Sequence, residues 1–254
     1  MIFAAGLGTR LKPLTDSRPK ALVELNGKTL LQWQIEKLKN AGITDIIVNV
    51  HHFADMIIDY LREHDNFGCH ITISDERDCL LDTGGGLRHI VESGEFRVES
   101  SSKVESLELI GEPILALNVD ILSNIDIRAL VNAYEQDGIS RLVVSERKTS
   151  RYLLFDEKRH LVGWTNITTG EVRPPVGPEP SLPERLAFSG MQILSPRVCA
   201  RLLYRKEAVF SLIDFYLDIC QNEILQAYVP EDYKMFDVGK FEHLSEAQTF
   251  ASSL

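Results

Sequence analysis

The sequence predicts an α/β fold with a mostly parallel central sheet, and three observations carry that expectation. Short apolar or β-branched runs alternate one for one with amphipathic helical stretches through the first half of the chain. Small residues and glycines, Ala4 to Gly8, stand directly after the first of those runs. Beyond about residue 140 the strands follow one another across turns, which adds an antiparallel extension.

The elements follow in order. "MIFAA" is a short apolar strand. "TLLQWQIEKLKNAG" is a helix with Leu30, Leu31, Gln34, Ile35 and Leu38 on one face, and Gly42 stands where helices end. "TDIIVNV" suits a strand buried on both sides. "FADMIIDYLREH" places Phe53, Met56, Ile57, Tyr60 and Leu61 on one helical face. "HITIS" is a strand, "GGLRHIVES" a helix, "PILALNVD" a buried strand, and "DIRALVNAYEQDG" a helix capped by Asp126. The strands "RLVVSERK", "YLLFD", "HLVGWTN" and "FSGMQIL" come next, then the helices "SLIDFYLDICQNE" and "KFEHLSEAQTFA". Ser211 and Asp214 give the first of these a capping-box start. The Ser/Glu-rich stretch from Ser93 to Glu112 reads as a solvated excursion, and the proline-rich segment 170–184 as an extended loop that could act as a lid. No linker separates two cores, so residues 1–254 read as a single domain.

The chain carries 254 residues and a formal charge of -10, which argues against a nucleic-acid polymer or an anionic membrane as partner. No apolar run is long enough to span a bilayer. Four cysteines, none in a CxxC pair, and the lack of an export signal read as reduced thiols in the cytoplasm. The first strand begins at Met1 with almost no lead-in, which leaves room for a start upstream.

Against this acidic background "GLGTRLKPLTDSRPK" gathers Arg10, Lys12, Arg18 and Lys20 beside a glycine loop. Glycines after a strand let backbone N–H groups approach a phosphate chain, at the strand end where open α/β sheets bind ligands. The loop is neither a Walker A sequence nor a full G-x-G-x-x-G. A solvated basic surface is the plain alternative.

The whole pattern, Ala4-Ala5-Gly6-x-Gly8-Thr9-Arg10-Leu11-x-Pro13-Leu14-Thr15 followed by Pro19-Lys20, resembles the sugar-1-phosphate nucleotidyltransferases. "DTGGGL" (Asp82 to Leu87) resembles that family's second glycine segment, "LNVD" its metal-binding strand end at Asp120, "FSGMQILSP" its sugar-side strand, and "FDVGKFEHLSEA" the late segment with a second metal-binding Asp, here Asp237. The resemblance implies a three-layer, Rossmann-like, GT-A-like fold with the antiparallel extension on the sugar side. It also implies transfer of a nucleotidyl group from an NTP to a sugar 1-phosphate with release of pyrophosphate, and Mg²⁺ as cofactor.

That reaction suits the residues. The attacking phosphate oxygen is already ionised, so the obstacle is repulsion between anions, and catalysis is positioning plus charge neutralisation. Arg10 can fork onto the triphosphate and Lys20 can sit at the α-phosphate as the two catalytic residues. Asp120 and Asp237 are hard oxygen ligands suited to Mg²⁺, although singly each also reads as a helix cap or turn residue. The resemblance implies nucleotide contacts at Ala5, Gly6, Gly8, Thr9, Asp82, Thr83 and Gly84, the backbone of the second segment facing the nucleobase. The three glycines from Gly84 also read as a flexible turn.

The Glu-Lys-Pro segment that grips the sugar phosphate in many members is missing, so that role falls by charge or motif to Arg151, Arg185 and Gly190, with Lys158 a weaker substitute. His51 and His52 read as packing and loop residues rather than metal ligands. Trp33 and Trp164 read as core or sheet-face residues, Trp164 with a weaker option of packing on a sugar. Short uridylyltransferase members acting on N-acetylmuramate 1-phosphate look closest, with the guanylyltransferases acting on mannose 1-phosphate nearly as close, and that order favours UTP over GTP. A GT-A glycosyltransferase, a phosphocholine cytidylyltransferase and a catalytically silent nucleotide-binding domain are the alternatives; oligomeric state is not legible.

Overall fold

A computed structural model describes residues 1–93, 111–173, 183–239 and 244–254. The chain divides into two compact units, Met1–Asp82 with Ala116–Arg128 and Tyr233–Leu254, and Thr83–Leu115 with Ala129–Asp232. Each is assembled from separated stretches, which is why the sequence shows no linker.

In the first unit, β1 (Ile2–Phe3) lies between β4 (Asp45–Val50) and β6 (Ile114–Asn118), and β5 (His70–Asp75) flanks β4. All three pairings are parallel, with Phe3 opposite both Asn49 and Asn118. Helix α1 (Leu30–Asn40) buries the five residues its spacing predicts, and the Thr29 hydroxyl caps it by accepting from the Gln32 N–H at 3.0 Å. Helix α2 (Ala54–Glu63) departs from expectation. Phe53 precedes it in a left-handed conformation, and the helix buries Ala54, Ile57 and Leu61 while Met56 is exposed.

Two small antiparallel ribbons complete the unit. β2 (Glu24–Leu25) and β3 (Lys28–Thr29) are joined by Asn26 and Gly27, both at positive φ, the Asn-Gly hairpin turn. β7 (Ile121–Ser123) pairs with β14 (Met235–Asp237), so that Ile121 lies opposite Asp237. Helix α7 (Leu244–Ala251) closes the unit and accepts from the Asn26 side chain through the Gln248 carbonyl.

In the second unit the strands run β11 (Glu171–Arg173), β10 (Leu161–Asn166), β9 (Arg151–Phe155), β12 (Glu184–Leu194), β8 (Ser140–Ser145), β13 (Leu225–Tyr228). Every pairing is antiparallel except that of β8 with β13. The fold is therefore the expected one, a parallel set of strands followed by an antiparallel extension. β11 and β13 are additions to the predicted strands, and β11 occupies part of the stretch read as an irregular loop.

Helix α3 (Asp82–Ser93) starts earlier than expected and takes all three glycines into its first turns. Helices α4 (Ile127–Asp137) and α5 (Pro196–Arg201) precede α6 (Leu212–Ile219), which has its capping box: the Asp214 N–H donates to the Ser211 hydroxyl, and that hydroxyl donates to the Asp214 carboxylate. Most of the Ser/Glu-rich excursion, 94–110, and the proline-rich residues 174–182 lie outside the described residues. All four cysteines are free thiols. Among the described residues no helix is long and apolar enough to cross a membrane.

Candidate active site

The opening loop leaves β1 at Phe3 and is held at its root by one side chain. The Oδ1 of Asn49, on β4, accepts from the N–H of Ala4 at 2.7 Å and of Ala5 at 3.3 Å. Gly6 is exposed, and a Cβ added there would meet nothing within 4 Å. Gly8 has φ +66°, and a Cβ there would lie 2.9 Å from the Thr15 methyl and 3.1 Å from the Lys20 Cβ. The Thr15 hydroxyl donates to the Gly8 carbonyl and fixes the bend. A 3₁₀ turn over Thr9–Leu11 then buries Leu11 and leaves Thr9 and Arg10 at the surface.

The four cations separate. Lys12 pairs with Asp16 at 3.3 Å on the exposed side of the loop, and Arg18 is exposed. Lys20 follows Pro19 in a second 3₁₀ turn, Lys20–Leu22, and donates to Asp120 Oδ2 at 2.5 Å with both side chains largely buried.

Asp120 follows β6 and is fixed from both sides. Buried Gln34 of α1 donates to the carbonyls of Val119 and Ile121 at 3.3 and 2.9 Å, which brackets Asp120. The N–H of Val238 donates to the Asp120 carbonyl at 2.9 Å and ties in the segment that carries Asp237. The Gly239 N–H in turn donates to Asp237 Oδ1 at 2.8 Å. The point a Cβ of Gly239 would occupy lies 2.6 Å from Asp237 Oδ1 and 2.9 Å from Arg10 Nη2. Arg10, Lys20, Asp120 and Asp237, four residues spread over the whole length of the sequence, thus meet in one unit. Gln34, Asn49 and Gly239 build this arrangement and were not singled out from sequence for it; their signal was a polar or small residue interrupting an apolar face or a strand end.

The donor set fits a hard divalent cation. Protein donors here are two carboxylates on paired backbone; among the described residues no group of three or more His, Cys, Asp and Glu is placed to hold a metal ion. A cation held here would complete its shell with phosphate oxygens and water, as Mg²⁺ does.

The second glycine segment is differently made. Asp82 has φ +59° and enters α3. The N–H groups of Gly84 and Gly85 donate to the Phe210 carbonyl at 2.9 and 3.2 Å, and Thr83 Oγ1 accepts from the Leu212 N–H at 3.0 Å. A Cβ at Gly84 would fall 2.4 Å from two carbons of the Phe210 ring. In this segment, expected to face a nucleobase, the N–H of Gly84 is thus taken up by Phe210.

The sugar-phosphate set does not assemble either. Arg185 lies opposite Leu154 in the β9–β12 ladder, while Arg151 begins β9 three residues earlier. Side chains alternate along a strand, so the two arginines occupy opposite faces and cannot grip one phosphate together. Gly190, at φ +68°, stands where the β8–β12 register shifts, which marks it as a bulge residue. Lys158 sits exposed in the turn whose N–H groups the Asp156 carboxylate accepts. Arg173 lies over the Trp164 ring at 5.6 Å and pairs with Asp214 at 2.6 Å, so one partner of that ring is a protein cation. Trp33 is half-buried and donates to the Leu25 carbonyl. His51 Nδ1 lies 2.7 Å from the Glu76 carbonyl, a loop contact as expected, and His52 is exposed.

A family model described as nucleotidyl transferase matches residues 1–253. The chain belongs to the nucleotidyl transferase family. Among relatives of this family member, N-acetylmuramate alpha-1-phosphate uridylyltransferase of Caulobacter vibrioides is 42% identical over 123 residues, 47% of this chain and 44% of the relative. The enzyme of that name from Neisseria meningitidis is 36% identical over 51% of this chain and 49% of its own. Mannose-1-phosphate guanyltransferase of Pichia angusta aligns over 100% of this chain and 62% of its own at 27% identity. The aligned chain thus spans about half the length of the two uridylyltransferases. Two solved structures share the fold: HddC from Yersinia pseudotuberculosis complexed with GMP-PN (TM-score 0.71, 22% identity, 98% of this chain and 97% of that one), and UDP-glucose pyrophosphorylase complexed with UDP-glucose (TM-score 0.71, 20% identity, 99% and 97%).

Proposed function

We propose that this nucleotidyl transferase joins an NTP to a sugar 1-phosphate, forming an NDP-sugar and releasing pyrophosphate, with Mg²⁺ as cofactor and UTP preferred to GTP. The observation that carries the reading is the meeting of Arg10 and Lys20 with Asp120 and Asp237 beside an open glycine loop. The names of the uridylyltransferase relatives support a sugar 1-phosphate acceptor and UTP.

The chemistry requires an anionic oxygen of the sugar phosphate to attack the α-phosphorus of another anion. Arg10, exposed on its 3₁₀ turn, forks onto the triphosphate and holds the leaving pyrophosphate. Lys20 bonds Asp120 in this structure; with substrate bound, its ammonium moves to the α-phosphate oxygens, where negative charge concentrates as the new bond forms. Asp120 and Asp237 would hold Mg²⁺, which supplies charge neutralisation at the phosphates. The N–H groups beyond Ala5 provide the neutral donors of the cradle.

The test is pyrophosphate release across a matrix of four NTPs and several sugar 1-phosphates, with phosphocholine as one added acceptor. The reading expects the highest kcat/KM for UTP with a sugar 1-phosphate. CTP with phosphocholine as the preferred pair would replace it with the cytidylyltransferase alternative. That alternative has an observation of its own: choline-phosphate cytidylyltransferase of Streptococcus pneumoniae is 47% identical over 30% of this chain and 32% of its own.

A further inference from the structure

We infer that Asn49 and Glu76 are positioning residues that lock the opening glycine loop and the segment entering α3 into one frame, so that nucleotide affinity depends on a bridge remote from the reacting phosphates. The inference rests on the nucleotidyl-transfer reading of the loop and deepens it.

Asn49 and Glu76 are both 3% exposed. They stand at the carboxyl end of β4, which pairs with β1, and directly after β5, which pairs with β4. Asn49 Oδ1 accepts from two loop N–H groups, of Ala4 and Ala5, which orients its amide: the Nδ2 must face the other way. There it donates to Glu76 Oε1 at 2.8 Å, and Glu76 Oε2 accepts from the Leu81 N–H at 3.4 Å. Glu76 is itself anchored, because its N–H donates to the Val50 carbonyl at 2.8 Å and its carbonyl accepts from His51 Nδ1. One chain of hydrogen bonds therefore runs from the root of the first loop to the residue before Asp82. Its polarity is fixed throughout, because backbone N–H groups stand at both ends and can only donate. Such a buried chain tolerates no single reversal, since a reversed member sets acceptor against acceptor or donor against donor.

That requirement gives a test by reversal. Asn49→Asp keeps an acceptor for Ala4 and Ala5 but turns a second carboxylate oxygen on Glu76. Glu76→Gln alone sets an amide donor against Asn49 or against the Leu81 N–H. The double variant Asn49→Asp/Glu76→Gln restores every donor–acceptor pair with the net charge unchanged.

In steady-state kinetics each single variant is expected to raise the KM for the NTP by about tenfold or more. The kcat should stay within about threefold, and the double variant should return KM to within about threefold of wild type. Hydrogen exchange is expected to quicken together at residues 4–8 and 77–82 in Asn49→Asp and to recover in the double variant. A single variant too unstable to assay supports the bridge if the double variant folds and binds, and overturns it if the double variant fails too. Unchanged KM and exchange in Asn49→Asp overturn the inference, as does quickened exchange confined to one segment. A wild-type protein inactive in the whole substrate matrix overturns the proposed function instead, and the exchange data then decide the bridge by themselves.

Discussion

The two glycine-rich segments both follow strands, yet glycine serves opposite ends in them. In the opening loop the chain is open: nothing stands near Gly6, and the left-handed bend at Gly8 swings Arg10 outward and brings Lys20 back under the turn. The structure holds that loop at its root through Asn49 and at the bend through Thr15, and leaves Gly6 and Leu7 between them exposed. At the start of α3 the chain is closed. Gly84 is buried against the ring and carbonyl of Phe210, and guanidinium groups of Arg88 and Arg205 lie 5.9 and 4.9 Å from that ring. Glycine there permits close packing of backbone on an aromatic side chain. Glycine content alone therefore does not separate an open loop from a packing surface; what a Cβ would meet does.

The largest effect that would sharpen this contrast belongs to the open loop's cation. Lys20→Ala is expected to lower kcat/KM by a factor of about 10² to 10³, the scale of losing one preorganised donor at a charged transition state. It also leaves the largely buried Asp120 without its ion-pair partner, so Lys20→Met and Asp120→Asn should be compared in parallel for stability. The largely buried pairing gives both side chains a share in the fold as well as in the chemistry.

Next comes Gly84→Ala, which should cost stability rather than chemistry, about 1–3 kcal/mol by urea denaturation, the usual range for overpacking. Combining it with Phe210→Leu should recover part of that loss, because the two side chains compete for one space. A stable Gly84→Ala protein with lost nucleotide binding would make the second segment resemble the first and break the comparison.

Gly8→Ala should be milder, about 1–2 kcal/mol from the left-handed backbone, with the Thr15 methyl contact adding to it. The smallest effect belongs to Gly6→Ala, within about 0.5 kcal/mol of wild type in the same denaturation experiment. A loss at Gly6 as large as that at Gly84 would mean that the loop is packed and not open.

Much of this was legible because local rules govern it. The apolar face of α1, the buried strands β4 and β6 and the capping box of α6 all follow from periodicity and from short-range hydrogen bonds. The resemblance in the opening pattern, together with two distant aspartates after apolar runs, was enough to nominate Arg10, Lys20, Asp120 and Asp237, and the structure brings these together. What escaped depends on register and on long-range pairing. Arg151 and Arg185 read as interchangeable charges until the ladder sets them on opposite faces. Asn49 and Glu76 are 27 positions apart in sequence and look like ordinary polar residues at strand ends until β4 and β5 lie side by side. Helix α2 follows Phe53 in its left-handed conformation and buries Ala54, Ile57 and Leu61 with Met56 exposed, a face that periodicity alone does not give. The Asn26–Gly27 hairpin is of the other kind, since Asn-Gly between two short strands is a wholly local signal.

The central claim is that two cations and two carboxylates form one pocket where a phosphate of one substrate attacks a phosphate of another. Exchange of radiolabelled pyrophosphate into UTP tests it most directly, measured with and without a sugar 1-phosphate in wild type, Lys20→Met and Asp237→Asn. The account predicts exchange that requires the sugar 1-phosphate and Mg²⁺ and falls at least about 100-fold in both variants. No exchange with any NTP and sugar 1-phosphate, or exchange undiminished in both variants, would contradict it.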